Sequence, residues 1–217
     1  MVENAMDAGR IIDRMLSLMR ENAVAMAVAV LALAAGGTIW DFYNPDSLFS
    51  LPLSIASMVA QYLLVKQALK REGLLSGDLT GAPMAFVGVS ILSGLGTVLG
   101  LLLLIVPGIL LVLRWMPAMA IVLAENPIRS GDALGEAWRR TKGHWLAIGI
   151  AYLLTMIPFA GAMLAYLWNG ADSPTPLIAL GVANLLMNLG MAATWYLGVA
   201  VYQGVASRSD ELEEIFA

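Results

Sequence analysis

Few side chains in this chain can do chemistry, and the informative ones lie inside its apolar runs. Arg114 is the only charged residue between Met84 and Ala124. Holding an arginine at mid-bilayer costs about 3 kcal/mol or more, so its presence calls for a partner. Gln61, Asn184 and Asn188 are amides in comparable runs, and the two asparagines are four residues apart, on one helical face. If the four converge, they form an interior polar site. A guanidinium in such a site pairs bidentately with a carboxylate or an anionic headgroup. Two other readings stay open: the amides hydrogen-bond helices together without a ligand, or Arg114 snorkels to the outer interface beside Trp115. A second constellation is Arg139, Arg140 and Lys142 beside Trp138 and Trp145. It suits anionic lipid headgroups at about 1 kcal/mol per charge, and the same charges also orient a chain in the membrane.

Other chemistries find no residues here. His144 is the only histidine and there are no cysteines, which excludes a metal cluster, a Ser-His-Asp triad and a thiol nucleophile. The sequence holds no phosphate-binding glycine loop, no HExxH and no pair of acidic residues within an apolar run. The basic residues are few and flank apolar segments, so nucleic acid is not an expected partner. The expectation is a protein that is not an enzyme and needs no cofactor or metal.

The elements that must position these residues are helices in a membrane. Hydrophobic residues make up 59% of the 217 and charged residues 13%, with a mean hydropathy of +0.78, against roughly 25% charge in soluble domains. A span needs about 20 apolar residues. The pattern predicts an all-α integral membrane protein with a single polytopic domain over 1–217. Six transmembrane helices are expected, at about 23–40, 51–69, 84–104, 107–124, 145–168 and 177–197. The run 84–124 as one helix would be about 60 Å long, twice the bilayer, so it must fold back. A break at Pro107-Gly108 leaves two legs that both cross, and the glycines of the first leg include a Gly96–Gly100 GxxxG for close packing. Amphipathic helices are expected in the interface over 1–21 and 130–142, the first through Ile12, Met15, Leu16 and Met19. Ser130 is the expected N-cap of the second. Residues 206–217 form an acidic tail.

Apart from Arg114, and Lys66 in the last turn of the second span, every lysine and arginine falls in the N-terminal segment, the second or fourth connection, or the tail. The positive-inside rule then puts both termini in the cytoplasm. Trp40 and Trp168 mark the outer boundary, and Trp145, Trp195 and Tyr196 the inner one. On these helix ends Arg114, Gln61, Asn184 and Asn188 share one layer in the outer half of the bilayer. Glu125, about 16 Å from Arg114, is expected to meet Arg129, Arg139 or Arg140 instead.

The segment Pro107 to Trp145 carries a Pro-Gly helix start, Arg114-Trp115, Pro117, Glu125-Asn126, the Ala133–Trp138 helix and Thr141-Lys142-Gly143-His144-Trp145. It resembles the membrane domain of the glycerophosphoryl diester phosphodiesterase family and the small uncharacterised bacterial inner-membrane proteins that share that domain. The resemblance covers about forty residues. It implies about six helices with an amphipathic insert, and a connection with membrane lipid; the family's hydrolase chemistry belongs to a soluble domain for which this chain has no room. The expected role is therefore non-enzymatic, in lipid or envelope homeostasis at the bacterial inner membrane. The expected partners are membrane lipids, and possible others are another membrane protein or a second copy of the chain. The alternative is a transporter or channel for a small solute or lipid. A lipid handler should open sideways between helices, whereas a transporter needs a water path to Arg114.

Overall fold

The computed structural model describes residues 7–44, 50–75, 77, 79, 82–167 and 176–216, the last ten by backbone alone. These residues form helices and no strands: α1 (Ala8–Glu21), α2 (Ala23–Tyr43), α3 (Leu51–Arg71), α4 (Ala82–Leu103), α5 (Ile105–Trp115), α6 (Ala118–Ala124), α7 (Ser130–Arg140), α8 (Trp145–Thr155), α9 (Ile157–Leu167) and α10 (Leu177–Phe216). Five stretches are long and apolar enough to cross a membrane: α2, α4, α5 with α6, α8 with α9, and α10 as far as Ala206. This is the make-up of a multi-pass membrane protein. The remaining expected span, α3, has 21 residues, but Gln61, Lys66, Gln67, Lys70 and Arg71 dilute its apolarity. The boundary marker Trp168 and residues 45–49, 76, 78, 80–81 and 169–175 lie outside the described residues.

The tightly packed core sits at one end of the bundle, called here the basic end. Ile11, Met15 and Leu18 of α1 are buried there with Leu64, Val65, Ala68 and Leu69 of α3, Phe86 and Val89 of α4, and Leu197 to Val201 of α10. The first helix thus buries its apolar stripe against α8 and α10. Met15 of the expected stripe is buried with Ile11 and Leu18, and Ile12, Leu16 and Met19 pack half-buried against the same core. Arg14 of α1 fixes the docking: it forms an ion pair with Glu72 after α3, and its Nε donates to Gln203 Oε1 of α10 at 2.6 Å. Toward the opposite end large apolar side chains such as Leu31, Leu95, Leu102 and Leu164 are exposed, as expected of surface that lipid covers.

Two prolines shape the middle of the chain. The fold-back comes at Leu104 and not at Pro107-Gly108: Leu104 alone is extended, and α5 begins with Ile105. Pro107 therefore lies in the first turn of α5, where its missing N–H costs nothing. Leu104 N–H donates to Gly100 O at 2.9 Å and its carbonyl accepts from Gly108 N–H at 3.3 Å, so the turn residue is satisfied on both sides. Gly96 and Gly100 face α5 within the same chain, against Trp115 and Gly108. Pro117 ends α5 by removing a backbone donor, and α6 then turns inward with Ala118, Ala120, Ile121, Val122 and Leu123 all buried. Gly198 of α10 lies against the Met116 carbonyl at this bend, 2.7 Å from where a Cβ would stand. Along α10, which remains helical to Phe216, Trp195 is half-buried and Tyr196 is fully buried.

The α4–α5 hairpin should be intolerant of a methyl group at Gly108, where a Cβ would stand 2.5 Å from the Leu101 side chain and 2.7 Å from its backbone nitrogen. Gly108→Ala is expected to destabilise the protein by about 1–3 kcal/mol, lowering the thermal midpoint in detergent. Gly94→Ala, whose Cβ meets nothing within 4 Å, should leave it unchanged or raised.

Candidate functional site

Arg114, Gln61, Asn184 and Asn188 do not form one cluster. Arg114 turns away from α3 and α10 toward α7: its Nη1 donates to the Trp138 carbonyl at 3.0 Å, and the guanidinium lies 4.7 Å from the centre of the Trp138 ring. The Trp138 carbonyl belongs to the last turn of α7, where carbonyls lack helical partners and the dipole favours a cation. Thr141 completes the cap, donating to Ala137 O at 2.7 Å and lying 3.3 Å from Arg114 O. Arg114 thus fastens α7 to the bundle. Asn184 is at the other end of the molecule, where its Nδ2 donates to Asp41 Oδ2 at 2.8 Å and Tyr166 donates to the same oxygen at 3.1 Å. The expected loop at Asp41 is helix, because α2 continues to Tyr43. Gly37, one turn earlier, leaves room for the Asn184 side chain. Asn188 donates back to Asn184 O of its own helix at 2.8 Å.

The basic helix α7 is docked and does not lie free on the surface: Ala133, Leu134 and Ala137 are buried against its neighbours. Ser130 is its first helical residue, after the N-cap position Arg129, and the hydroxyl ties α7 to α4 by donating to Ala85 O at 3.0 Å. Of the expected lipid-facing cluster, Arg140 is committed, holding Glu125 bidentately at 2.5 and 2.8 Å and Glu136 at 3.0 Å. Its pKa is raised above the usual arginine range, first by the Glu125 hydrogen bond. Glu136 is held below the usual carboxylate value by its bond to Arg139, against the opposing effect of burial and with help from Arg140. Arg139 has 71% of its side chain exposed. Lys142, Trp138 and Trp145 are exposed too, so this face still presents two cations between two indoles.

Gln61, at the midpoint of α3, faces a crevice of about 470 Å³ between α3, α4, the α5–α6 bend and α10. From α4 come Ser90, Ser93, Gly94 and Thr97, from the bend Trp115 and Met119, and from α10 Thr194 and Trp195. The volume is within the roughly 300–1,000 Å³ of ligand pockets. Gly94 and Val98 are exposed at its rim, so it opens sideways through the bundle wall. The α4 contribution has a sequence signature that polar-residue spacing can reveal: Ser90, Ser93, Gly94 and Thr97 recur at i, i+3, i+4 and i+7, a small and polar stripe on an otherwise apolar helix. Ser90 donates to Phe86 O at 3.0 Å, Ser93 to Ser90 O at 3.2 Å and Thr194 to Gly190 O at 2.9 Å. Among the described residues no group of three or more metal-ligating side chains is present.

Arg114→Leu should loosen α7 while leaving the bundle folded, seen as faster amide hydrogen exchange over 130–140 at unchanged total helicity. In the wild type the Glu136 contribution to α7 is fully present above the ordinary carboxylate pKa of 4.5 and is lost as pH falls through its lower folded value. Protection over α7, taken relative to the intrinsic exchange rate at each pH, should therefore stay flat from pH 7 to 5 and fall only below about 4.5. Compared with family models, curated proteins and solved structures, the chain matches none.

Proposed function

We propose that this is a bacterial inner-membrane protein that binds membrane lipid in the α3–α4–α10 crevice and carries out no reaction on it. The observation that carries the reading is the sideways opening of that crevice at the middle of helices made to cross a membrane. A binding site for a lipid is entered from the bilayer, whereas a solute pathway is entered from water. The crevice walls mix apolar surface with hydroxyls and one amide, which suits an amphipathic ligand. The exposed Arg139 and Lys142 between Trp138 and Trp145 suit anionic headgroups at the surface. The resemblance of residues 107–145 to the membrane domain of the glycerophosphoryl diester phosphodiesterase family points to lipid as well.

In this reading α3 is a sixth span, so both termini are on the cytoplasmic side with α1 and α7. Eleven of the twelve lysines and arginines then flank the cytoplasmic face, leaving Arg114 as the exception. The chain has no cysteine, so single introduced cysteines report sidedness directly. Asn44→Cys, before α3, should react with an impermeant thiol reagent from outside intact cells, and Gly77→Cys, after α3, only once the membrane is opened. Labelling of both from one side would remove the sixth span.

Lipid binding is tested by native mass spectrometry of protein gently extracted from its own membrane. The wild type should retain lipid at about one molecule per chain. Gly94→Leu, which projects into the open mouth of the crevice, should lose it at an unchanged thermal midpoint. Equal retention by the two proteins, or none by the wild type, would overturn the assignment.

A further inference from the structure

We infer that the lipid held in the crevice is uncharged and that its polar part is a single carbonyl or hydroxyl group paired with the amide of Gln61. This rests on the crevice being a lipid site, and it narrows the ligand from any membrane lipid to a neutral one.

The first argument is electrostatic. None of the residues lining the crevice is ionisable. The adjacent Arg114 could have supplied a counter-charge, but its guanidinium lies on the α7 side, engaged by the Trp138 carbonyl and ring. A phosphate drawn into the middle of the membrane needs a cation, because an unpaired buried charge costs many kcal/mol. The crevice provides none. The exposed cations are at the C-terminal end of α7, Arg139 in its last turn and Lys142 just past its cap, away from the crevice lining.

The second argument concerns donors and acceptors. Ser90, Ser93 and Thr194 each spend their proton on a carbonyl of their own helix, so toward the cavity they offer lone pairs only. The Gln61 and Thr97 side chains face the same space and make no hydrogen bond among the described residues. A primary amide offers two donors and an acceptor, and in an apolar setting an unmet amide is costly. A ligand carbonyl accepts from Gln61 Nε2. A ligand hydroxyl can do the same and also donate to a serine oxygen. The remaining wall is Trp115, Trp195, Met116, Met119 and valines, flat or adaptable apolar surface for a ring or the start of a chain. The rest of the chain leaves past Gly94 and Val98 into the bilayer.

Two kinds of membrane molecule share this chemistry: a neutral glycerolipid such as a diacylglycerol, and an isoprenoid quinone or alcohol. Both are told apart by mass. The experiment is lipid extraction from the purified full-length protein, with each lipid quantified against its share of the membrane of origin. The expected result is one neutral lipid bearing a carbonyl or hydroxyl, enriched at least tenfold in the wild type. Gln61→Met, which keeps the shape and removes the amide, should lower its retention about 2- to 10-fold, the loss of one hydrogen bond. Gly94→Leu should abolish retention. If the enriched lipid is an anionic phospholipid, the neutral-ligand inference is wrong while lipid binding in the crevice stands. A neutral lipid whose retention is indifferent to Gln61→Met would remove the assigned pairing. Recovery of nothing beyond bulk membrane composition would overturn this inference and the lipid-binding function together.

Discussion

The bend at Pro117 is the constraint on which most of the remaining architecture depends. A proline inside a helix loses a donor and collides with the carbonyl four residues back, so the α5–α6 segment cannot cross as a straight rod. Before the bend, α5 keeps exposed side chains such as Ile109; after it, α6 lies almost wholly in the core. Close by, the Thr141 hydroxyl that caps α7 lies 3.3 Å from the Arg114 carbonyl, so the end of α7 abuts the bend. The same bend makes the crevice. Trp115, Met116, Met119 and Ala120 all come from the few residues around it, and α10 reaches them closely because position 198 is glycine.

Charge inside this protein is handled by dipoles and rings as much as by counter-ions. Arg114 has no carboxylate partner among the described residues; it is met by the carbonyl end of a helix and an indole face. Carboxylates are used instead at the surface of the basic end, where Glu72 joins α1 to α3, and Glu125 holds α7 against the end of α6. The polar pairs at the far end, Asp41 with Asn184 and Tyr166, join α2, α9 and α10. Each arrangement links elements distant in the chain, and none needs a water-filled channel.

The helices were largely legible from apolar run length, and the side-chain partnerships were not. Runs of about twenty apolar residues locate α2, α4 and α10, but a proline does not say whether it sits at a break or one turn inside the next helix. That ambiguity displaced the fold-back from Leu104 to Pro107. The convergence expected of Arg114, Gln61, Asn184 and Asn188 used depth along straight helices, which says nothing of azimuth. Arg114 faces α7 and Gln61 faces α10, so equal depth does not bring them together. Asp41 escaped notice because it adjoins a loop-like segment, although α2 extends past it. The expected meeting of Glu125 with a basic residue of the α7 region is seen, with Arg140 as the partner. The crevice was hidden for a different reason: its lining is spread over four elements in small and weakly polar residues, of which only the α4 stripe has a recognisable period.

The turn at Leu104 has a consequence for how the chain meets the far side of the bilayer. Leu101 to Val106 are six apolar residues, all exposed, and the one non-helical residue among them has both backbone groups hydrogen-bonded. Pro107 removes one more donor that would otherwise face outward. Such a tip carries almost no demand for hydration, so both helices can complete their crossing with the turn lying shallow at the far edge of the acyl chains. The α4–α5 pair can then enter the membrane from one side as a closed wedge, with no polar loop to be carried across.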